Sequence, residues 1–307
     1  MARISSGMIN SSALIDLQKA QSELYETQRK TATQRAADDL KGYGSDARTV
    51  VSLQRMQAQT DAYKSSAEQL TTRLDLQDAH IGRAAESIQS LRESLTNALA
   101  LGDLSSVAQE LENTFTDIKS SFNASLNGKY LFSGNTPSEQ PIIADDISDL
   151  ANNPLADSVY SESDALQVRI TESKTVEAGP LGHEVALDAL SVLRDLQIFE
   201  ESGSGPFTDN PTTAEKDAIQ AALSQLGSIY EGLLGVQGEN GRVLNETDNA
   251  VERLETESNL LASLSADITD VDLAEVALEL SQAQLQYQAT ASVFNTIQNL
   301  SLVNLLE

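Results

Sequence analysis

Two histidines, His80 and His183, and one acidic run, Ala144-Asp145-Asp146-Ile147-Ser148-Asp149, are the first places to look for chemistry in this chain. An imidazole can move protons near neutral pH, and clustered carboxylates can hold a hard cation. Neither pattern completes itself. The histidines lie far apart in the sequence, and His80 falls beside the apolar stripe of its segment rather than on it, so a solvated surface position accounts for each. The acidic run lacks the glycine and the closing glutamate of an EF-hand loop. There is no glycine-rich phosphate loop, no Gly-x-Ser-x-Gly and no His-Glu-x-x-His. Cysteine is absent, which removes disulfides, thiol chemistry and thiolate metal sites. On these grounds the chain is expected to be no enzyme, with no catalytic residues, no cofactor and no metal site.

What the residues do specify is long helices. Stepping by alternating threes and fours from Leu53 gives Met56, Thr60, Tyr63, Ala67, Leu70, Leu74, Gln77, Ile81, Ala84, Ile88, Leu91, Leu95 and Ala98, and twelve of these fourteen positions are apolar. That is a heptad seam with no proline in it, on a rod roughly 68 Å long at 1.5 Å per residue. Such a rod cannot stand alone, because its apolar seam must be buried against something along its whole length. The alternation returns at Ile219, Leu223, Leu226, Tyr230, Leu233, Gln237, Asn240, Leu244, Thr247, Val251, Leu254, Ser258 and Leu261. The two rods match in length, and the segment between them lets the chain turn back, which predicts an antiparallel pair. Gly235, Gly238 and Gly241 interrupt the second rod, as a close helix crossing or a bend would require, or as weak positions that are simply tolerated.

Composition agrees. Aromatic residues make up 4% of the 307 residues and tryptophan is absent, a poor supply for an enzyme core that encloses a ligand. Forty-six acids against twenty bases give a net charge of -26, which argues against nucleic acid or an anionic membrane surface as partner. The charge is uneven: residues 1 to 60 carry eight bases and six acids, whereas residues 243 to 307 carry Arg253 alone against eleven acids. The two ends are therefore expected to attract each other. No run of 18 apolar residues occurs, and the start has no apolar core of secretory-signal length. A soluble protein is expected, without membrane insertion and without a cleaved signal peptide.

Read in order, residues 1–44 form a helical arm with Ile4, Leu14, Leu17 and Leu24 on a stripe that thins into Gln21, Gln28 and Thr31, followed by a glycine-bearing loop. Residues 45–128 are the first part of the rod domain. They include a helix from Ser105 with Val107, Leu111, Phe115, Ile118, Phe122 and Leu126 on one face, closed by Asn127-Gly128 as a left-handed cap. Residues 129–211 hold all six prolines and the alternating stretch Leu166, Val168, Ile170, which mark an inserted β-rich outer domain with one short helix near His183 to Gln197. Residues 212–265 complete the rod, and residues 266–307 form a second arm with Leu273, Val276, Leu280, Ala283, Tyr287, Thr290, Phe294 and Ile297 on one stripe. Its greasy end, with Leu302, Val303, Leu305 and Leu306, is more than a lone chain readily hides. The expected fold class is mainly α: an elongated antiparallel coiled-coil-like helical bundle with an inserted small β-rich domain. Both arms are expected to be mobile until assembly. The expected assembly interface is Leu14, Leu17, Leu24, Leu273, Val276, Leu280, Tyr287, Phe294, Ile297, Leu302 and Leu305.

Three phrases also carry a family likeness. The opening MARISSGMINSSALIDLQKAQSELYETQRKTAT, the phrase KYLFSGN after Asn127-Gly128, and the ending VDLAEVALELSQAQLQYQATASVFNTIQNLSLVNLL together resemble the flagellin superfamily. Within it they are most similar to the hook-filament junction class of hook-associated proteins (the FlgL type). AADDLKGYGSDARTV departs from the Gly-Lys and Asp-Asp-Pro phrases that many members show in the first loop. The resemblance implies a structural, non-enzymatic component of the bacterial flagellum, exported through the flagellar type III apparatus with a chaperone. It would be located at the hook-filament junction and assembled as a ring-like layer between a neighbouring hook-associated protein and flagellin. The competing readings are a flagellin proper, within the family, and a cytosolic coiled-coil adaptor, outside it.

Overall fold

The first helix, α1 (Ala2–Thr33), ends where Gln34 turns to φ 59. The chain then runs extended for two residues, long enough for an antiparallel bridge in which the Ala36 amide donates to the Thr269 carbonyl at 2.8 Å and the Val271 amide to Gln34. A short 3-10 turn, Gly44–Asp46, leads into α2 (Ala47–Leu101), which stops at Gly102 with φ +70. The expected rod is thus present. The structure, a computed structural model, describes the backbone of residues 2–160 and 162–306 and the side chains of residues 8, 10–160 and 162–299.

Next comes α3 (Val107–Phe122), whose Val107, Leu111, Phe115, Ile118 and Phe122 are buried at helical spacing. It ends earlier than the stripe to Leu126 suggests. Asn123 removes itself from the helix by pairing both ways with Ile142: its side-chain amide donates to that carbonyl at 2.8 Å and its side-chain oxygen accepts that amide at 2.9 Å. Asn127-Gly128 is therefore a hairpin turn, not a helix cap. With φ of 53 and 76 it joins β1 (Ser125–Leu126) to β2 (Lys129–Tyr130), the two-residue loop that asparagine-glycine favours because both centres need positive φ. Leu131 and Phe132 follow as buried anchors, and the Phe132 ring meets Phe122 edge to face at 5.2 Å.

The short helix α4 (Ile147–Asn152) explains the acidic run. The Asp146 carboxylate caps it by accepting the Asp149 amide at 2.7 Å, Asp149 accepts the Asp145 amide, and Asp145 lies 3.7 Å from the Lys119 ammonium. β3 (Gln167–Thr171) and β4 (Lys174–Glu177) pair antiparallel, with Ile170 and Val176 turned inward as the alternation requires. α5 (Gly182–Glu201) follows, so the inserted segment contains both the small sheet and helices. Thr212 and Glu215 then form a reciprocal capping box at the start of α6 (Thr213–Thr269), each accepting the other's backbone amide. Asp272 caps the last helix, α7 (Leu273–Leu306). The fold is mainly α with a small β-containing insertion.

By backbone proximity the chain divides into two compact units, residues 1–59 with 257–307, and residues 60–256. In the second, α2 and α6 run antiparallel: Lys64 meets Glu255, Thr71 bonds Asp248, Leu74 accepts from Asn240 and Asp78 from Gln237, one index falling as the other rises. From Thr60 to Ala98 every seam residue of α2 is buried except half-buried Tyr63. Leu74, Ile81 and Ile88 are wholly buried. Met56, assigned to the same seam from sequence, is 44% exposed, because it precedes the stretch that faces α6 in this unit.

Polar seam positions are used as clamps. Arg73 and Gln77, one turn apart on α2, both donate to the carbonyls of Leu131 and Ala178, tying the hairpin loop and the β4–α5 connection to the rod. Gly179, at φ +89, gives Gln77 its room, since a Cβ there would collide with the amide. His80, one turn further along α2, differs from the solvated position read from the sequence. It is half-buried with Nδ1 lacking a partner, and burial first, then the charge of Arg83, holds its pKa below the ordinary value.

Leu74→Ala is expected to lower the unfolding free energy by about 2 to 5 kcal/mol, read from urea titrations followed by circular dichroism. A depressed histidine pKa means that the unfolded chain binds the proton more readily. The stability due to His80 is thus complete above the unfolded value near 6.5 and is lost as pH falls through the folded value. The urea midpoint should fall between pH 7.5 and pH 5, and His80→Gln should flatten that fall.

Candidate assembly interface

None of the residues with chemical potential converges on a reaction centre. Among the described residues no three of His, Asp and Glu gather around a common point fit for a metal ion, and no helix is long and apolar enough to cross a membrane. The feature that calls for a function is the surface of the first unit.

Helices α1 and α7 pack along one another, held in antiparallel register by the bridge between Arg35 and Asp270. Their less exposed residues follow the three-four alternation. On α1 these are Asn10, Ala13, Leu17, Ala20, Leu24 and Thr27; on α7 they are Val276, Leu280, Ala283, Tyr287, Thr290, Phe294 and Ile297. From Ala13 to Thr27 on α1 and from Val276 to Thr290 on α7 every second seam position is small: alanine, threonine or valine. Small side chains let two helix backbones approach closely, and repeated Cα separations within 8 Å show that they do. The cost of this closeness is little apolar burial. Only Ala13, Ala20, Thr27, Val276 and Ala283 are buried among the described side chains of these two helices.

The residues expected at the interface distribute unevenly. Leu14 is 45% and Leu273 50% exposed, whereas Val276 is buried and Leu17, Leu24, Leu280, Tyr287, Phe294 and Ile297 are half-buried in the alternating pattern of the seam. The side chains of Leu302 and Leu305, like that of Ile4, lie outside the described residues. On α1 the sequence reading favoured leucines and missed Ala13 and Ala20, since alanine barely registers in a search for apolar stripes. Gln21 and Gln28, expected on that stripe, are exposed.

A second apolar set went unread. Met8, Ile15 and Tyr25 on α1, and Leu278, Leu285 and Val293 on α7, are exposed, Leu285 at 67%. Ile15 stands two residues past Ala13, and Leu278 and Leu285 stand two past Val276 and Ala283. At 3.6 residues per turn that is the opposite side of the helix from the seam. The signal was present as a seven-residue spacing, Met8 to Ile15 and Leu278 to Leu285, but it is offset from the stronger stripe. Leu40, Val51, Met56, Leu260 and Leu264 add to the same unit, so that among the described residues thirteen of the nineteen exposed large apolar side chains lie in residues 1–59 and 257–307. An apolar surface so concentrated marks a site of association.

The charges of this unit are also left open. Lys19, Lys30, Arg35, Lys41, Arg48 and Arg55 have no ion-pair partner among the described residues, and neither do the acids at 267, 270, 272, 275 and 279. Arg35 and Asp270, one from each end, are backbone neighbours, without a side-chain ion pair.

Residues 218–306 match the family model of the bacterial flagellin C-terminal helical region. No curated protein matches the chain. Among solved structures it is similar to a Vibrio parahaemolyticus protein assigned as a flagellar hook-associated protein, with a TM-score of 0.60 and 22% identity over 76% of this chain and 99% of that one. It is also similar to Bacillus cereus FlgL, with a TM-score of 0.55 and 13% identity over 70% of this chain and 99% of that one. The last third of the chain thus matches a flagellin C-terminal helical region, and over most of its length the chain shares the fold of these two solved structures.

Proposed function

We propose that this chain is a structural component of the bacterial flagellum that joins hook to filament, assembling through its terminal helices into a ring-like layer. The observation that carries the reading is the outward apolar face of α1 and α7, in a chain whose last third is a flagellin C-terminal helical region. A protein that works by contact needs such a face and needs no reaction centre, so we read it as no enzyme. Its partners in this reading are copies of itself, a neighbouring hook-associated protein on one side and flagellin on the other. An export chaperone covers the terminal helices before assembly, and the chain leaves the cell by the flagellar type III route without a cleaved signal peptide.

The arms, residues 1–44 and 266–307, order on assembly. The support is physical. Helices of 32 and 34 residues that bury chiefly alanine, threonine and one valine gain little from each other compared with the roughly 1 to 2 kcal/mol per residue of backbone ordering. The missing burial is supplied when the outward face meets a neighbour. Residues 129–211 then form the outward surface of the layer.

Three outcomes test this. Deleting the gene should leave hooks without filaments and release unpolymerised flagellin, whereas shortened or altered filaments would favour a flagellin. Leu278→Asp with Leu285→Asp should leave the helix content of the isolated chain unchanged and raise the concentration needed for assembly at least tenfold by sedimentation; removal of residues 296–307 should abolish assembly with the second unit still folded by circular dichroism. Amides of both arms should exchange within seconds in the isolated chain and slow by orders of magnitude in the assembly, while full protection in the monomer would favour a self-contained coiled-coil adaptor.

A further inference from the structure

An open groove of about 490 Å³ runs between α5 and α6 in the second unit. Glu184, Asp188, Ser191 and Asp195 line its α5 side at steps of four, three and four, and therefore share one face of that helix. Its floor is apolar, with Val192 and Leu233 buried and Ile229 half-buried. On the α6 side Gly232 leaves the wall open, with nothing within 4 Å of where its Cβ would stand. None of the three carboxylates has an ion-pair partner among the described residues. A groove with an acidic rim and an apolar floor fits a helix that presents bases around an apolar centre.

The first turns of α2 are such a helix. Arg48, Val51 and Arg55 stand at steps of three and four on one exposed face, with Met56 on its flank; Val51 is 45% exposed and neither arginine has an ion-pair partner among the described residues. They belong to a stretch, residues 29 to 55, with six bases against three acids in a chain of net charge -26. The spacing also agrees. Arg48 and Arg55 are seven residues apart, as are Asp188 and Asp195, each about 10.5 Å along its helix at 1.5 Å per residue. Two arginine-carboxylate pairs can thus form together, with Val51 entering over the apolar floor.

We propose that the start of α2 of one copy docks in the α5/α6 groove of a second copy. The inference rests on the self-assembly reading above and extends it. Groove and helix are different surfaces, so the contact is heterologous: each copy gives one and receives one, which is how a ring closes. It supplies the layer with a charge-based lateral contact, separate from the apolar face of the terminal helices.

The absence of cysteine makes a direct test available. Full-length chains carrying Val51→Cys and Ser191→Cys are mixed under mild oxidation and resolved on non-reducing gels. The mixed disulfide dimer should exceed that of Val51→Cys with a Ser105→Cys control at least tenfold. It should fall to the control level in 1 M salt, where the Debye length is about 3 Å. Adding Asp188→Lys and Asp195→Lys to the Ser191→Cys chain should abolish it, and adding Arg48→Glu and Arg55→Glu to the Val51→Cys chain should then restore it. No excess over the control, or an excess indifferent to salt and charge reversal, overturns the proposal. Sedimentation of the wild-type chain reports separately on self-assembly. A chain that assembles without the cross-link overturns this contact alone, and one that cross-links without assembling overturns the terminal-helix reading alone.

Discussion

The constraint on which the rest depends is the small-residue seam between α1 and α7. Alanine at 13, 20 and 283 lets the two backbones lie close, and the same alanines leave the pair with almost no apolar volume to bury. Large side chains are present on both helices, but Ile15, Leu278 and Leu285 point to the far side from the seam. A pair of helices built this way gains more from a neighbour than from itself. In the proposed assembly, association and folding of these segments are one process, with the apolar contact between copies providing what the contact within a copy lacks.

The second unit follows the opposite rule. Between Thr60 and Ala98 the seam of α2 is filled by leucine and isoleucine against α6, and three phenylalanines, Phe115, Phe122 and Phe132, are fully buried beside it. Its polar seam residues are paired rather than left facing solvent: Asn240 donates to Leu74, and Gln77 with Arg73 holds Leu131 and Ala178. Directional bonds at fixed heights on a rod that would otherwise slide by heptads select one register and fix the insertion to it. One chain thus combines a unit that completes its own core with a unit that does not.

Charge completes the division of labour. Residues 257–307 carry seven acids and no base, and most of the described bases of residues 1–59 have no ion-pair partner among the described residues. A strongly acidic protein keeps copies apart in dilute solution by repulsion, so association must be won by specific short-range contacts. The two contacts proposed above, through the apolar face and through the matched arginine and carboxylate spacings, are of that kind, and both are local enough to act within a Debye length of about 8 Å at physiological salt.

Periodicity was enough to place the two rods and the strand around Ile170, and the matched lengths of the rods with a segment between them gave their antiparallel pairing, because each of these follows from local pattern. The terminal helices could be located the same way, and the phrases at both ends carried the flagellin likeness. Other features depended on contacts between distant residues. Asn127-Gly128 serves a hairpin instead of a helix end because Asn123 finds Ile142, and of the clustered acids Asp146 caps α4, Asp149 accepts the Asp145 amide and Asp145 lies beside Lys119. The same holds for the direction of each apolar stripe. A sequence shows that leucines recur, but which face turns inward is decided by where a second helix can approach, and α7 approaches α1 over its alanines. That choice, made only in three dimensions, is what leaves Leu278 and Leu285 on the outside.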